Sequence, residues 1–146
     1  MTPLDLLGTW ELRRVVDDHR NGERRDVRGT ATLELETPDR VRWDEEGTMT
    51  WAGHAVPVSR TLFVVRSGEA WWVEFEDGRP FHPWAVGERV RHDCAPDLYT
   101  GLIRLDQDPV EDPVERWTVE WRATGPEKDY VMTTVLSGRR PPHHPG

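Results

Sequence analysis

Trp10-Glu11-Leu12-Arg13-Arg14-Val15-Val16-Asp17, followed by Asp18-His19-Arg20-Asn21-Gly22, decides the fold. Trp10, Leu12, Arg14 and Val16 occupy every second position, with Glu11, Arg13 and Val15 between them. Successive side chains of an extended chain point to opposite faces, so this period of two predicts a strand. Asn-Gly accepts the left-handed backbone of a two-residue hairpin and turns the chain back. The same unit recurs: a short run rich in β-branched and aromatic residues, then a polar break. Thr30 to Thr37 alternates and ends at Pro38-Asp39. Val41 to Trp51 puts Val41, Trp43, Glu45, Met49 and Trp51 on one side. Further runs are Val56 to Arg66, Ala70 to Glu76, Phe81 to Val86, Arg89 to Cys94, Leu98 to Leu105, Arg116 to Thr124 and Asp129 to Leu136. Gln107 to Pro113 reads as an acidic loop, and Thr2 to Leu7 suits a single helical turn. An antiparallel meander of about eight to ten strands tends to curl and close, because closure removes exposed edges. The expected fold is all-β: an up-and-down meander closed into a barrel, with room inside for side chains or one small ligand.

The chain has 146 residues, enough for one domain with one core. The barrel is expected over residues 1–138, with 139–146 as a frayed, turn-forming tail that carries His143 and His144. Eight tryptophans supply much of the core. Net charge is −8, with both signs interspersed, so no basic stripe is available for a nucleic acid. No apolar run is long enough to span a bilayer as a helix. One cysteine cannot close an internal disulfide, and no signal peptide is evident, so a cytoplasmic location is expected.

Leu7-Gly8-Thr9-Trp10 resembles the Gly-x-Trp signature of lipocalin-like barrels, the calycin group. The resemblance implies that Trp10 plugs a closed end and that a basic residue after the last strand, Arg139 or Arg140, packs over it. The chain is also similar to a family of short bacterial and fungal proteins known only as a domain of unknown function. The matching stretches are Leu6 to Trp10, Glu45-Glu46-Gly47, Asp77 to His82, His92 to Tyr99 and Gly125 to Tyr130. That likeness implies a lipocalin-like barrel and no activity. A looser similarity is to the nitrobindins, haem-binding barrels that also open on Gly-x-Trp. Here Glu11-Leu12-Arg13-Arg14 stands in place of their second glycine pattern, and Arg116 to Leu136 holds no histidine. No cofactor is therefore expected, and a haem or metal carrier is the third reading.

Chemistry concentrates between Arg79 and Tyr99, which holds two of the six histidines and the only cysteine. His92 and Cys94 share a strand face, and His82 and Asp97 are the nearest further metal ligands. Cys94 reads equally as a small core residue, and no metal site is expected. Asp97 and Tyr99 share a face. Turned inward beside His82 or His92, they form a general acid–base set or a structural network near the barrel mouth. His82, His92, Asp97 and Tyr99 are the catalytic candidates. Arg60 interrupts the apolar face of Val56, Val58, Leu62 and Val64, where it anchors an anion or neutralises Glu45 across the strands. Lys128 and Tyr130 share a face, and Arg79 sits in a rim turn. Trp43, Trp117 and Trp121 are candidates to line a pocket for a flat ligand. Of Trp71 and Trp72, one ring must point outward, and a homodimer is its ordinary partner.

These readings converge on a barrel that binds a small anionic or aromatic molecule. The alternative is a cofactor-free acid–base enzyme: an isomerase, cyclase or lyase.

Overall fold

Alternation and tight turns build ten antiparallel strands. In a computed structural model that describes residues 1–106 and 113–142, they are β1 (Gly8–Asp18), β2 (Glu23–Thr37), β3 (Arg40–Trp51), β4 (His54–Ser67), β5 (Ala70–Phe75), β6 (Pro80–Pro83), β7 (Arg89–Cys94), β8 (Asp97–Leu105), β9 (Arg116–Thr124) and β10 (Asp129–Arg140). A 3-10 turn, Pro3–Leu6, precedes them, capped by Thr2. The sheet order is β6-β5-β4-β3-β2-β1-β10-β9-β8-β7. Every pairing is between chain neighbours except β1 with β10, which closes the ring. One seam is left, between β6 and β7, where no strand ladder forms. The connection through residues 84–88 stitches the foot of that seam. Trp84 N–H donates to Trp71 O at 2.9 Å on one side, and Gly87 N–H donates to Ile103 O at 2.8 Å on the other.

The expected strands are present, and at three ends the boundary moves by three residues or more. β2 begins at Glu23, not Thr30, because Asp18↔Glu23 continues the first hairpin through the charged run Glu23 to Arg28. Both faces near this tip approach water, so charge there does not break a strand. β6 stops at Pro83, short of Val86, where the chain leaves for the seam crossing. β10 continues to Arg140, past the expected barrel end at residue 138. Arg139 is held rather than frayed: its Nη1 donates to Asp5 O at 2.9 Å, and its guanidinium lies 5.1 Å above the Trp10 ring. His143, His144 and most of the acidic loop lie outside the described residues.

The barrel has a plugged end and a mouth. At the plugged end Trp10, Trp43, Trp84 and Trp117 pack edge to face or tilted, with centroids 5.6–6.5 Å apart. Trp10 Nε1–H donates to Leu6 O at 2.9 Å, which fixes the 3-10 turn across that end. The mouth lies at the other end, near the β1–β2, β7–β8 and β9–β10 turns. Trp71 is buried and Trp72 points outward at 40% exposure, as two adjacent strand residues must.

Candidate functional site

Inward parity divides the interior into a filled half and a hollow one. The filled half belongs to β5–β9. There Phe81 stacks on Phe75 at 4.6 Å and on Trp121 at 4.8 Å, backing the seam. His82 packs against Phe81 and Trp121, at 4.7 and 4.8 Å. His92 lies edge-on to Phe81 at 5.4 Å. Gly101 leaves room for the Trp121 indole, since a Cβ there would come within 2.7 Å of the ring.

The hollow half is a cavity of about 210 Å³ lined by β1–β4 and β10 and open to solvent on one side. Leu12, Val16, Val27, Met49, Val58 and Met132 supply its apolar wall. Three inward-facing charged side chains share that wall, Arg14, Glu45 and Arg60, and the exposed Glu46 borders it. The three face inward because each sits at an in-phase position of its strand, and Glu45↔Arg60 are direct cross-strand partners. Arg14 Nη2 donates to both Glu45 oxygens at 2.9 and 3.0 Å, and its Nε donates to Thr134 Oγ1 at 2.7 Å. Arg60 Nε donates to Glu45 Oε1 at 2.6 Å. The Glu45 and Arg14 side chains are 4% and 11% exposed, and that of Arg60 is 34% exposed. Burial alone would raise the Glu45 pKa, but the charges of Arg60 and Arg14 outweigh it and hold the carboxyl below its ordinary value. Burial lowers the Arg14 pKa, and Glu45 opposes that shift. Two guanidinium charges against one carboxylate leave the triad with one net positive charge. Among the described residues no partner is bonded to the two terminal nitrogens of Arg60.

A second polar group rims the mouth. Lys128 Nζ donates to Tyr99 Oη at 2.9 Å and lies 3.2 Å from Asp97 Oδ2. Asp97 tucks beneath Gly125, where any Cβ would collide with Oδ1. The hydrogen bond to Tyr99, then that to Asp97, raises the Lys128 pKa, so the amine stays protonated and is no nucleophile at neutral pH. Burial raises the Tyr130 pKa, aided by the neighbouring Tyr99 phenol. The His92 ring lies 6.0 Å from that of Tyr99. Deeper in, burial lowers His82 to a pKa of about 4, and its Nδ1 lies 2.8 Å from Pro83 O. A neutral ring must donate from Nδ1 to that carbonyl, which leaves Nε2 as the basic nitrogen.

The structure thus sorts the candidates into separate places. Asp97, Tyr99, Lys128 and Tyr130 meet at the mouth, with His92 beside Tyr99. His82 and Trp121 sit in the filled half. Trp43 and Trp117 pack into the plugged end and do not line the cavity. Arg79 is exposed in its turn, with Nε donating to Asp77 Oδ2 at 2.6 Å. Cys94 is exposed, not in the core, so the reading of it as a buried hydrophobe is corrected. Among the described residues no three His, Cys, Asp or Glu side chains gather as a metal site requires. Of the polar candidates, Arg60 alone lines the cavity, and there it pairs with Glu45, the second of its two expected roles. Arg14, outside that set of candidates, lines the cavity too. Its signal lay in the opening strand, as a charge on the face of Trp10, Leu12 and Val16.

A family model matches residues 6–138, and the family is one of unknown function, DUF6314. The chain belongs to that family. No curated protein matches it. Among solved structures, the family fold seen here is similar to the S-type phycobiliprotein lyase CPES from Guillardia theta. That alignment covers 97% of this chain and 91% of the lyase, with TM-score 0.60 and 10% identity. A redesigned β-barrel, mFAP0, bound to DFHBI is 14% identical over 92% of this chain and 99% of its own, with TM-score 0.49. A fluorescence-activating β-barrel designed de novo is 17% identical over 94% of this chain and 100% of its own, with TM-score 0.47. Likeness at this level of identity speaks to the fold alone, an antiparallel barrel. Among the described residues no helix is long and apolar enough to cross a membrane.

Proposed function

We propose that this barrel binds a small organic acid in the cavity bounded by β1–β4 and β10. One observation carries the reading: two arginines share a single carboxylate on the wall of an otherwise apolar cavity, and the two terminal nitrogens of Arg60 have no partner among the described residues. A planar guanidinium matches a carboxylate or similar anion, and apolar walls strengthen that attraction by keeping water away. The volume of about 210 Å³ exceeds the roughly 150 Å³ of an apolar cavity that admits benzene. One ring bearing an acidic group fits that space. Arg139 over Trp10 supports the lipocalin-like reading of the barrel, a scaffold whose interior holds ligands. The exposed, unpaired Cys94 is consistent with work in the cytoplasm. Trp72 would be the anchor of any homodimer.

Native mass spectrometry of the protein from its host, with thermal melts against a panel of aromatic and branched acids, tests this reading. A retained small mass, or a rise in Tm that Val58→Trp abolishes by filling the cavity, supports it. No retained mass and no shift with any acid would overturn it.

A second reading is favoured by the mouth cluster: His92 and Tyr99 as acid–base pair for proton abstraction beside a carbonyl, with Asp97 positioning Lys128 and His82 supporting from below. It expects solvent deuterium to enter a small keto acid at the carbon next to its carbonyl. His92→Asn and Tyr99→Phe should then stop exchange and leave Tm unchanged. Exchange that survives in both variants would remove it.

A further inference from the structure

We propose that the cavity selects its ligand by charge, that it takes a monoanion over a dianion or a neutral isostere, and that Glu45 is the residue that sets this preference. The inference rests on the acid-binding reading above and goes on to name the class of acid. Arg14 is already committed: Nη2 to both Glu45 oxygens and Nε to Thr134. Arg60 is only partly committed, through Nε. Glu45 therefore acts as a built-in counter-ion that satisfies one of the two guanidiniums and leaves the equivalent of one positive charge for a guest. A single negative charge brings the site to neutrality. A second would find no further cation among the residues that line the cavity, and a charge held unpaired against apolar walls is unfavourable. A neutral guest would leave Arg60 unmatched. The other acidic side chain on the cavity wall, Glu46, is exposed to solvent on the outward face of β3, so water screens it. His82 is held neutral by burial, which leaves the balance to the three named groups. Two flexible methionines, Met49 and Met132, line the cavity, so its shape adapts to the ring more readily than its charge does.

Three probes of nearly equal shape separate the cases: benzenesulfonate, phenylphosphonate and benzenesulfonamide, titrated into the full chain at mildly alkaline pH. There they carry one, two and no negative charges. Their Kd values are read from chemical-shift titration. The expected result for the unmodified chain is that the sulfonate binds more tightly than either other probe by about tenfold or more. Glu45→Gln should reverse the first ratio, so that the phosphonate becomes the tighter ligand. Arg60→Met changes a partly exposed residue and should move the preference to the sulfonamide. It gives an independent answer if Glu45→Gln fails to fold. Equal Kd values for the three probes, or ratios unchanged in a folded variant, would overturn charge selection while leaving acid binding intact. No binding of any probe or of any acid in the panel would instead overturn the acid-binding reading itself.

Discussion

Arg14, Glu45 and His82 show what buried charge costs and what it controls. Glu45 is almost wholly enclosed and keeps its charge because two guanidiniums meet it. Arg14→Met removes one of them, and Arg60 remains as partner. The expected loss is about 3 kcal/mol, the low end for breaking a buried pair, read as a lower urea midpoint at unchanged slope. An unchanged midpoint would mean that the pair only offsets its own desolvation. His82 makes a prediction about pH. Its folded pKa of about 4 lies below its ordinary 6.5, so the unfolded chain binds the extra proton between those values. Its stabilisation is complete above about pH 6.5 and fades as the pH falls toward 4, by on the order of 3 kcal/mol. Glu45, Asp18, Asp44 and Asp77, all with lowered pKa values, begin to lose theirs as the pH falls through the ordinary carboxylate values of 4.5 and 3.8. Urea midpoints between about pH 5 and 6.5 should therefore slope in the parent chain and flatten in His82→Leu. Equal slopes would show that the histidine becomes protonated in the folded state. Arg60, Glu45 and the mouth cluster were legible because strand parity says which residues share a face. Which half of the interior stays hollow was not, because that depends on ring packing between strands distant in sequence, such as Phe81 on Trp121.

The strands follow from the sequence because alternation and turn chemistry are local. The departures are local too: Glu23 to Arg28 looks too charged for a strand, and pairing with β1 makes it one. Gly29 and Gly47 carry a less obvious message. They are register partners in β2 and β3, and a Cβ on Gly29 would strike the Glu46 carbonyl oxygen and the Gly47 Cα. The backbones approach there as no side chain would allow, which lets a long hairpin bend around the barrel beside the cavity. Gly29→Ala should cost about 3 kcal/mol or more, at or beyond the upper range for overpacking, because backbone atoms cannot step aside as side chains do. Gly22→Ala, in an open hairpin turn with φ of 63°, should cost about 1 kcal/mol. Chemical denaturation of both variants checks the ranking, and a smaller loss at Gly29 would show that the wall yields.

At the scale of the whole barrel, the ring is asymmetric in what holds it. β1, β2 and β10 are paired on both sides, whereas β6 and β7 each turn one edge to the seam. Pro80 and Pro83 suit β6 to that place, since proline has no N–H to lend to a ladder. Arg89, Arg91 and Asp93 on β7 add charge that discourages pairing with another chain. Side chains therefore hold the seam along its length, through the Phe75–Phe81–Trp121 stack, and backbone hydrogen bonds of the 84–88 crossing hold its foot. Stability should be distributed accordingly, because unladdered edges open without unfolding the rest. In hydrogen exchange, the amides of β6 and the seam-facing amides of β7 should exchange through local opening, while those of β1, β2 and β10 wait for global unfolding. Phe81→Ala sharpens the contrast. Phe81 is half-buried, so its loss should cost about 2 kcal/mol, below the range for a fully buried phenylalanine. Most of the added exchange should appear in β6 and β7. The cavity lies across the barrel from this seam, so a bound acid should slow exchange in the strands that line it and leave the seam nearly unchanged. Protection that rises equally at the seam would mean that ligand and seam share one cooperative unit, and that the barrel breathes as a whole rather than along one edge.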